Sequence, residues 1–228
     1  CVACAGHDYA SHAEIVTIPQ NLVVKIPENV SFEEASFTTL GSIALQGVRQ
    51  AEPRLGEKVC LIGLGLLGQL TGQLLKANGC DVFGIDLSDR LIKLANEISV
   101  SKALHRNDTN LLSACDNFTN GHGFDSVIIT AAAPTNDPII LSTEICRKKG
   151  KIIVVGAVKM DIPRDPYFYR KELELKISCS YGPGRYDVVY EEGGNDYPYA
   201  YVRCTEERNM VALLKMVAKG YVDVKPLI

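Results

Sequence analysis

Three glycines and one acid carry the chemistry that this sequence suggests most directly. Val59-Cys60-Leu61-Ile62 is apolar throughout, as a buried strand must be, and it runs straight into Gly63-Leu64-Gly65-Leu66-Leu67-Gly68. Asp86 closes the next apolar run, Val82-Phe83-Gly84-Ile85, at close to the roughly 20-residue spacing at which an acid meets a bound ribose. The glycines have separate roles, with Gly63 for the tight turn, Gly65 for close approach of a pyrophosphate to the backbone, and Gly68 for close contact of helix and sheet. A pyrophosphate is expected at the helix N-terminus beginning with Leu66 and Leu67, where unpaired amides and the positive end of the dipole favour an anion. Asp86, with Leu87 beside it, is expected to accept hydrogen bonds from the adenosine ribose. Its charge would repel a 2′-phosphate by about 1 to 4 kcal/mol at 4 Å, depending on screening. Strand, glycine turn, helix, strand and acid together read as a dinucleotide site that prefers NAD to NADP. Arg90, one helical turn on, works against that preference, because a guanidinium there can pair with a 2′-phosphate as well as stack on adenine.

The elements that must hold these residues alternate regularly. Lys58 to Ile62 reads as a first strand and Leu66 to Ala77 as a helix; Asp81 to Ile85 and Asp89 to Ile98 repeat the pair. Lys102 to Leu104 follows as a short strand, Asn110 to Asn117 as a helix, Ser126 to Thr130 as a strand, Pro138 to Arg147 as a helix and Lys151 to Val155 as a fifth strand. Strands apolar throughout and separated by helices imply a parallel sheet covered on both faces, and the right-handed crossover rule makes it doubly wound. Ligands of such sheets bind beyond the carboxyl ends of the strands. Thr130 and Ala131 after the fourth strand, and Gly156 and Ala157 after the fifth, fall at that edge; they line the nicotinamide half of the site or simply relieve crowding there.

Composition excludes several alternatives. A net charge of −3 leaves no basic footprint for nucleic acid, and no run approaches the ~18 apolar residues of a membrane span. The eight cysteines are scattered through strand and helix patterns, which suits free thiols in a reducing cytoplasm better than a disulfide framework. The chain opens on Cys1 and its first methionine is Met160, so it is expected to be a fragment of a longer protein.

The segment ahead of the glycines differs in character. Glu14 to Ile18 and Leu22 to Val24 are β-prone runs around a Pro19-Gln20-Asn21 turn, and Ser31 with Glu34 forms a capping-box pattern at the start of a helix. Such short strands cannot stand alone; they read as the trailing edge of another domain. Cys1-x-x-Cys4 with His7 and His12 has the ligand types of a zinc site. However, Val2-Ala3 sits in a strand pattern, where residues three apart face opposite ways, so no metal is expected there. His105 and His122 sit in polar, loop-like surroundings and read as surface histidines.

Three stretches together carry a resemblance: Tyr9-Ala10-Ser11-His12-Ala13-Glu14 to Pro19, Val24-Lys25-Ile26-Pro27-Glu28-Asn29-Val30-Ser31-Phe32-Glu33-Glu34-Ala35, and the closing Gly220-Tyr221-Val222-Asp223-Val224-Lys225-Pro226-Leu227-Ile228. With the glycine turn between them, the chain resembles the medium-chain dehydrogenases, whose zinc-containing members include alcohol, sorbitol and threonine dehydrogenases. The resemblance implies an α/β fold, a doubly wound Rossmann sheet with remnants of a GroES-like β domain. It divides the chain into 1–36 (the end of the catalytic domain), 37–180 (the NAD(P)-binding domain), 181–204 (a tyrosine-rich loop) and 205–228 (the last Rossmann helix and the return). It places a serine or threonine of the family's proton relay near Thr38 and Thr39, either of which suits a capping or packing role equally well, and puts Thr39 among the cofactor contacts; no catalytic acid, base or nucleophile is assigned. It also marks a departure: the position that supplies a zinc ligand in typical members matches Leu40, whose alkyl side chain cannot bind zinc. Zinc is therefore not expected in this chain. A homodimer through the Rossmann domain is implied by the family alone.

Six of the ten tyrosines lie between Tyr181 and Tyr201, among glycines and prolines. This stretch resembles a segment of dehydrogenase-like halves in bacterial surface-polysaccharide biosynthesis proteins. Tyrosine stacks on sugar rings and bonds their rims, so a sugar-derived substrate is one expectation; tyrosine with Arg185 also suits an oligomer contact. The function expected is an NAD(P)-dependent oxidoreductase acting on an alcohol or sugar-derived small molecule. The alternatives are a zinc-independent quinone or enone reductase, and a cofactor-binding module without chemistry.

Overall fold

The structure, a computed structural model, describes residues 1–11 and 13–228; His12 lies outside them. The elements follow the order β1 (Val2–Cys4), β2 (Val23–Lys25), α1 (Phe32–Ala35), α2 (Thr38–Ala51), β3 (Lys58–Ile62), α3 (Leu66–Ala77), β4 (Asp81–Asp86), α4 (Asp89–Ile98) and β5 (Lys102–His105). There follow α5 (Leu111–Phe118), β6 (Phe124–Ile129), α6 (Asp137–Ile145), β7 (Cys146–Val154), α7 (Tyr169–Lys171), β8 (Glu174–Ile177), α8 (Val188–Glu191) and α9 (Glu206–Ala218). They form two compact units, Gly47–Ser178, and Cys1–Gln46 with Cys179–Ile228. The division falls inside α2, and α9 belongs to the unit that contains the N-terminal segment, whereas the division expected from the sequence groups 37–46 and α9 with the sheet. Among the described residues no helix is long and apolar enough to cross a membrane.

The Gly47–Ser178 unit is a six-stranded sheet in the order β5-β4-β3-β6-β7-β8, with every neighbour parallel. The order reverses direction between β3 and β6, so the carboxyl ends of those two strands flank a topological switch point, the place where open α/β sheets bind ligands. Val59, Cys60, Leu61, Val127, Ile128, Ile129, Ile152 and Ile153 are all essentially inaccessible, as strands covered on both faces must be. The core beneath α5 is aromatic: the Phe83 ring centroid lies 5.3 Å from that of Phe118 and 5.7 Å from that of Phe124.

Two features depart from the sequence reading. A sixth strand, β8, lies at the sheet edge, where Glu174-Leu175-Lys176-Ile177 alternates polar and apolar and lacks the continuous apolar run that marks its neighbours. β7 begins at Cys146 rather than Lys151: Cys146 pairs with Phe124, the register slips through Arg147-Lys148-Lys149-Gly150, and pairing resumes at Lys151 against Ser126. Lys149 sits at φ 58° in this irregular stretch, which explains why a charged, glycine-ended run inside a strand reads as a turn.

In the other unit β1 and β2 form an antiparallel pair, and Ser31 caps α1 through the reciprocal bonds of a capping box: Glu34 N donates to Ser31 Oγ and Ser31 N to Glu34 Oε2. Glu14 to Ile18 is not a strand, and Ile15 is 90% exposed. An apolar alternation forms a strand only where a partner strand is present to take its hydrogen bonds.

Candidate functional site

The glycine turn between β3 and α3 has almost every backbone group accounted for. Gly63 N donates to Ile85 O at 2.8 Å, and the Gly63 carbonyl accepts from the Thr130 hydroxyl at 2.6 Å. Leu64 N donates to Asp86 Oδ2 at 2.6 Å, and the Leu64 carbonyl accepts from Gln69 Nε2 at 2.9 Å. Gln69 is itself buried, and its amide oxygen accepts from Ser99 Oγ. What the turn leaves open is the N-terminus of α3: Gly65 caps it without a side-chain bond, so the first-turn amides have no intrahelical partner. These amides border a cavity of about 480 Å³.

The three glycines differ as their roles require. Gly63 has φ 99°, and a Cβ there would lie 2.5 Å from Ala131 N. A Cβ on Gly68 would lie 2.1 Å from the Gly63 carbonyl oxygen, so helix and turn touch only because no side chain intervenes. Gly65 is the opposite case, for a Cβ there meets nothing within 4 Å. Its surroundings are open on the side where a diphosphate would approach the amides of α3. That open approach, the uncapped helix end and the acid beyond β4 are the features a dinucleotide needs, and the residues present fit one.

The cavity is lined by Gly63, Gly65, Leu66, Leu67, Asp86, Leu87, Thr130 and Ala131, all singled out in the sequence, and also by Leu91, Arg106, Thr135, Asp137 and Pro138. Asp86 is fixed as a ribose acceptor should be: Oδ2 takes the Leu64 amide and Oδ1 the Ser88 amide at 2.8 Å, which leaves each oxygen a further lone pair. Gly68, Arg90, Gly156 and Ala157 do not line the cavity. Gly68 is buried behind the turn, and Arg90 is exposed on α4. A Cβ on Gly156 would lie 2.0 Å from the Ala131 carbonyl oxygen, so this glycine serves the close approach of the two loops. Thr39 belongs to the other unit, where its hydroxyl donates to the Cys4 carbonyl at 3.3 Å and it borders an apolar hollow of about 520 Å³ with Cys1, Cys4 and Phe32. Leu40 is partly exposed on α2.

Two residues beside Asp86 at the sheet's carboxyl edge escaped sequence reasoning. His105, read as a surface histidine without partners, accepts the Asn107 amide at Nδ1 (3.0 Å) and meets the Leu87 carbonyl at Nε2 (2.9 Å). Because an amide can only donate and a carbonyl only accept, the ring must be the neutral Nε2–H tautomer. It clasps the loop after β4 to the loop after β5. Arg106 forms a two-point pair with Asp137, Nε to Oδ2 at 2.9 Å and Nη2 to Oδ1 at 2.5 Å. The signal for both was their place at the carboxyl end of β5, His105 its last residue and Arg106 the next, where the shortness of the strand hid that edge in the sequence.

Half of the tyrosines in the tyrosine-rich stretch are built into the loop itself. Tyr181 and Tyr190 are buried, Tyr190 stacks on Tyr197 at 5.1 Å, and the Tyr197 hydroxyl donates to Asp187. Arg185 pairs with Glu191 at 2.5 Å and lies over the exposed Tyr186 ring at 4.2 Å. Its charge is thus committed within the loop. Behind it Glu206, fully buried at the start of α9, finds no hydrogen-bond partner of ordinary geometry for either carboxyl oxygen. Burial and the neighbouring Glu191 carboxylate push its pKa up to about 8, against the opposing pull of Arg185. Tyr186, Tyr199 and Tyr201 remain exposed.

Among the described residues no three His, Cys, Asp or Glu side chains cluster as a metal ion requires. Cys4 is partly buried, and burial raises its thiol pKa, away from the thiolate that zinc binds.

The zinc-binding dehydrogenase family model matches residues 67–193. The chain is 27% identical over 214 residues to 2-dehydro-3-deoxy-L-galactonate 5-dehydrogenase of Pseudoalteromonas atlantica, covering 93% of this chain and 54% of that protein. Its fold matches that of galactitol-1-phosphate dehydrogenase from Escherichia coli with a TM-score of 0.70 at 17% identity, over 91% of this chain and 56% of the other. It also matches a dehydrogenase structure from Sinorhizobium meliloti bound to NADP, with a TM-score of 0.71 at 18% identity, over 91% and 55%. The chain spans about half the length of the curated relatives it matches.

Proposed function

The chain belongs to the zinc-binding dehydrogenase family, and on that premise we propose that its Gly47–Ser178 unit holds NAD for a dehydrogenase acting on a hydroxyl or carbonyl group of a sugar-derived substrate. The observation that carries the reading is Asp86. It stands at the carboxyl end of β4 inside the cavity, each oxygen oriented by one backbone amide and able to accept one ribose hydroxyl. When bound, the nicotinamide supplies the hydride acceptor or donor. The chain's own residues do the holding. The amides of Gly65, Leu66 and Leu67 take the diphosphate; Thr130, bonded to the Gly63 carbonyl, and Gln69, bonded to the Leu64 carbonyl, keep that turn from shifting. Leu87 and Leu91 give the adenosine end an apolar wall.

The family name implies zinc, and the described residues do not fit it: Leu40 offers no ligand, and no three-ligand group forms. No step of the proposed reaction is routed through a metal in this chain. Support for the substrate class comes from the relatives, whose names specify a sugar acid and a sugar alcohol phosphate. The test is an assay of the intact protein that contains this chain, following NADH formation with sugar alcohols, aldonates, simple primary alcohols and, in reverse, enones. A polyhydroxylated substrate is expected to give kcat/KM at least about tenfold above simple alcohols. Enone or quinone reduction with no polyol turnover would overturn the proposal.

A further inference from the structure

The charged side chains lining the cofactor cavity are three: Asp86, Arg106 and Asp137. Two carboxylates against one guanidinium leave the wall at −1. Asp86 and Arg106 are neighbours across the sheet: His105 pairs with Asp86 in register, and Arg106 N donates to the Asp86 carbonyl at 2.8 Å. Arg106 is thus a cation of the cavity wall on the strand next to the acid proposed to receive the ribose, placed to meet a phosphate on that ribose. It is not at liberty to do so. Asp137, the first residue of α6, holds it by two parallel N–H···O bonds, the geometry that gives an arginine–carboxylate pair both strength and direction. Of the five guanidinium N–H groups two are spent on Asp137, and the positive charge is neutralised.

Resting on the cofactor reading above, we propose that Asp137 is a specificity-determining residue: by binding Arg106 it withholds the one cation among the cavity's lining residues from a 2′-phosphate, so that the cavity keeps its preference for the unphosphorylated ribose. Preference for NAD then has two parts, direct repulsion by Asp86 and capture of the compensating charge by Asp137. Removing the second carboxylate takes the wall from −1 to neutral and releases the two Arg106 donors that Asp137 holds.

The adenosine end can be probed alone. The full chain is titrated calorimetrically with 5′-AMP and with adenosine 2′,5′-bisphosphate, which differ only in the 2′-phosphate. Wild type is expected to favour AMP. Asp137→Asn, which keeps the size and shape of the side chain and removes its charge, is expected to move the ratio of the two dissociation constants toward the bisphosphate by about tenfold, in line with one screened unit charge at contact distance. The double variant Asp137→Asn with Arg106→Gln is expected to lose that gain, which ties the shift to the released guanidinium. If wild type binds AMP and Asp137→Asn leaves the ratio within twofold of wild type, the inference fails while the cofactor reading stands. The same holds if the shift survives in the double variant. If wild type binds neither nucleotide nor NADH, the cofactor reading fails first and takes this inference with it.

Discussion

Gly68→Ala is expected to destabilise the Gly47–Ser178 unit by about 3 kcal/mol, whereas Gly65→Ala, three residues earlier in the same motif, is expected to cost almost nothing. The asymmetry follows from what a single methyl meets. At Gly68 it would lie 2.1 Å from the Gly63 carbonyl oxygen and 3.1 Å from Thr130 Oγ1, and neither can retreat: that carbonyl is fixed by the Thr130 hydroxyl, and Gly63 N by the Ile85 carbonyl. Helix α3 would have to lift from the sheet, exposing the face that carries Leu70 and Leu74. At Gly65 the backbone has φ −64°, which alanine adopts freely, and the methyl points into open space. Its cost belongs to function, because that space is where the proposed diphosphate approaches. Urea unfolding followed by circular dichroism separates the two variants. A Gly68→Ala loss under about 1 kcal/mol would mean that contact between helix and turn is not what constrains this position.

The second large effect concerns Glu206. In the folded chain its carboxyl holds a proton up to about pH 8, whereas the ordinary carboxyl value is 4.5, so between these limits the native state binds a proton that the unfolded chain has released. Stability from this group is therefore full below pH 4.5 and falls as pH rises toward 8, by on the order of 5 kcal/mol across the window. Its cause lies in the groups that face it: Glu191 and Arg185 already neutralise each other, and the nearby Tyr181 hydroxyl is buried with its pKa pushed up to about 12, so a second carboxylate has no cation of its own. Glu206→Gln is expected to flatten the pH dependence of stability between pH 5 and 8, and to leave the variant the more stable protein at the upper end. The chain has no tryptophan, and eight of its ten tyrosines belong to the unit that contains Glu206, so tyrosine emission during urea unfolding reports on the relevant part. A variant whose stability still falls with pH as steeply as wild type would show that Glu206 is not the titrating group.

How much of this was legible beforehand varies with the physics of each element. β3, α3, α4 and the acid at the end of β4 were readable because one fact decides each: a strand buried on both faces is apolar throughout, and a glycine turn leaves no side chains to misread. β8 was not, since an edge strand is half exposed and its alternation is short. The start of β7 was hidden by the charged run Arg147-Lys148-Lys149, which reads as a turn and behaves as an interruption within the strand. Glu14 to Ile18 failed in the opposite sense, a β-prone run without a partner. At the cavity the sequence identified the residues that a motif fixes at set spacings. It missed His105, Arg106 and Asp137, whose roles depend on which loops the sheet order brings together. Arg185 suits an oligomer contact by residue type alone; its partner Glu191 lies only six positions away, but inside a loop no periodicity announces the pair.

Whether this chain carries a working NAD site is decided by calorimetric titration with NADH and then NADPH. Saturable NADH binding, weaker binding of NADPH, and loss of at least about tenfold in NADH affinity on Asp86→Ala are the predicted result, the last reflecting removal of a charge-assisted pair of ribose hydrogen bonds. Absence of binding by both cofactors, or NADH affinity unchanged by Asp86→Ala, would contradict it.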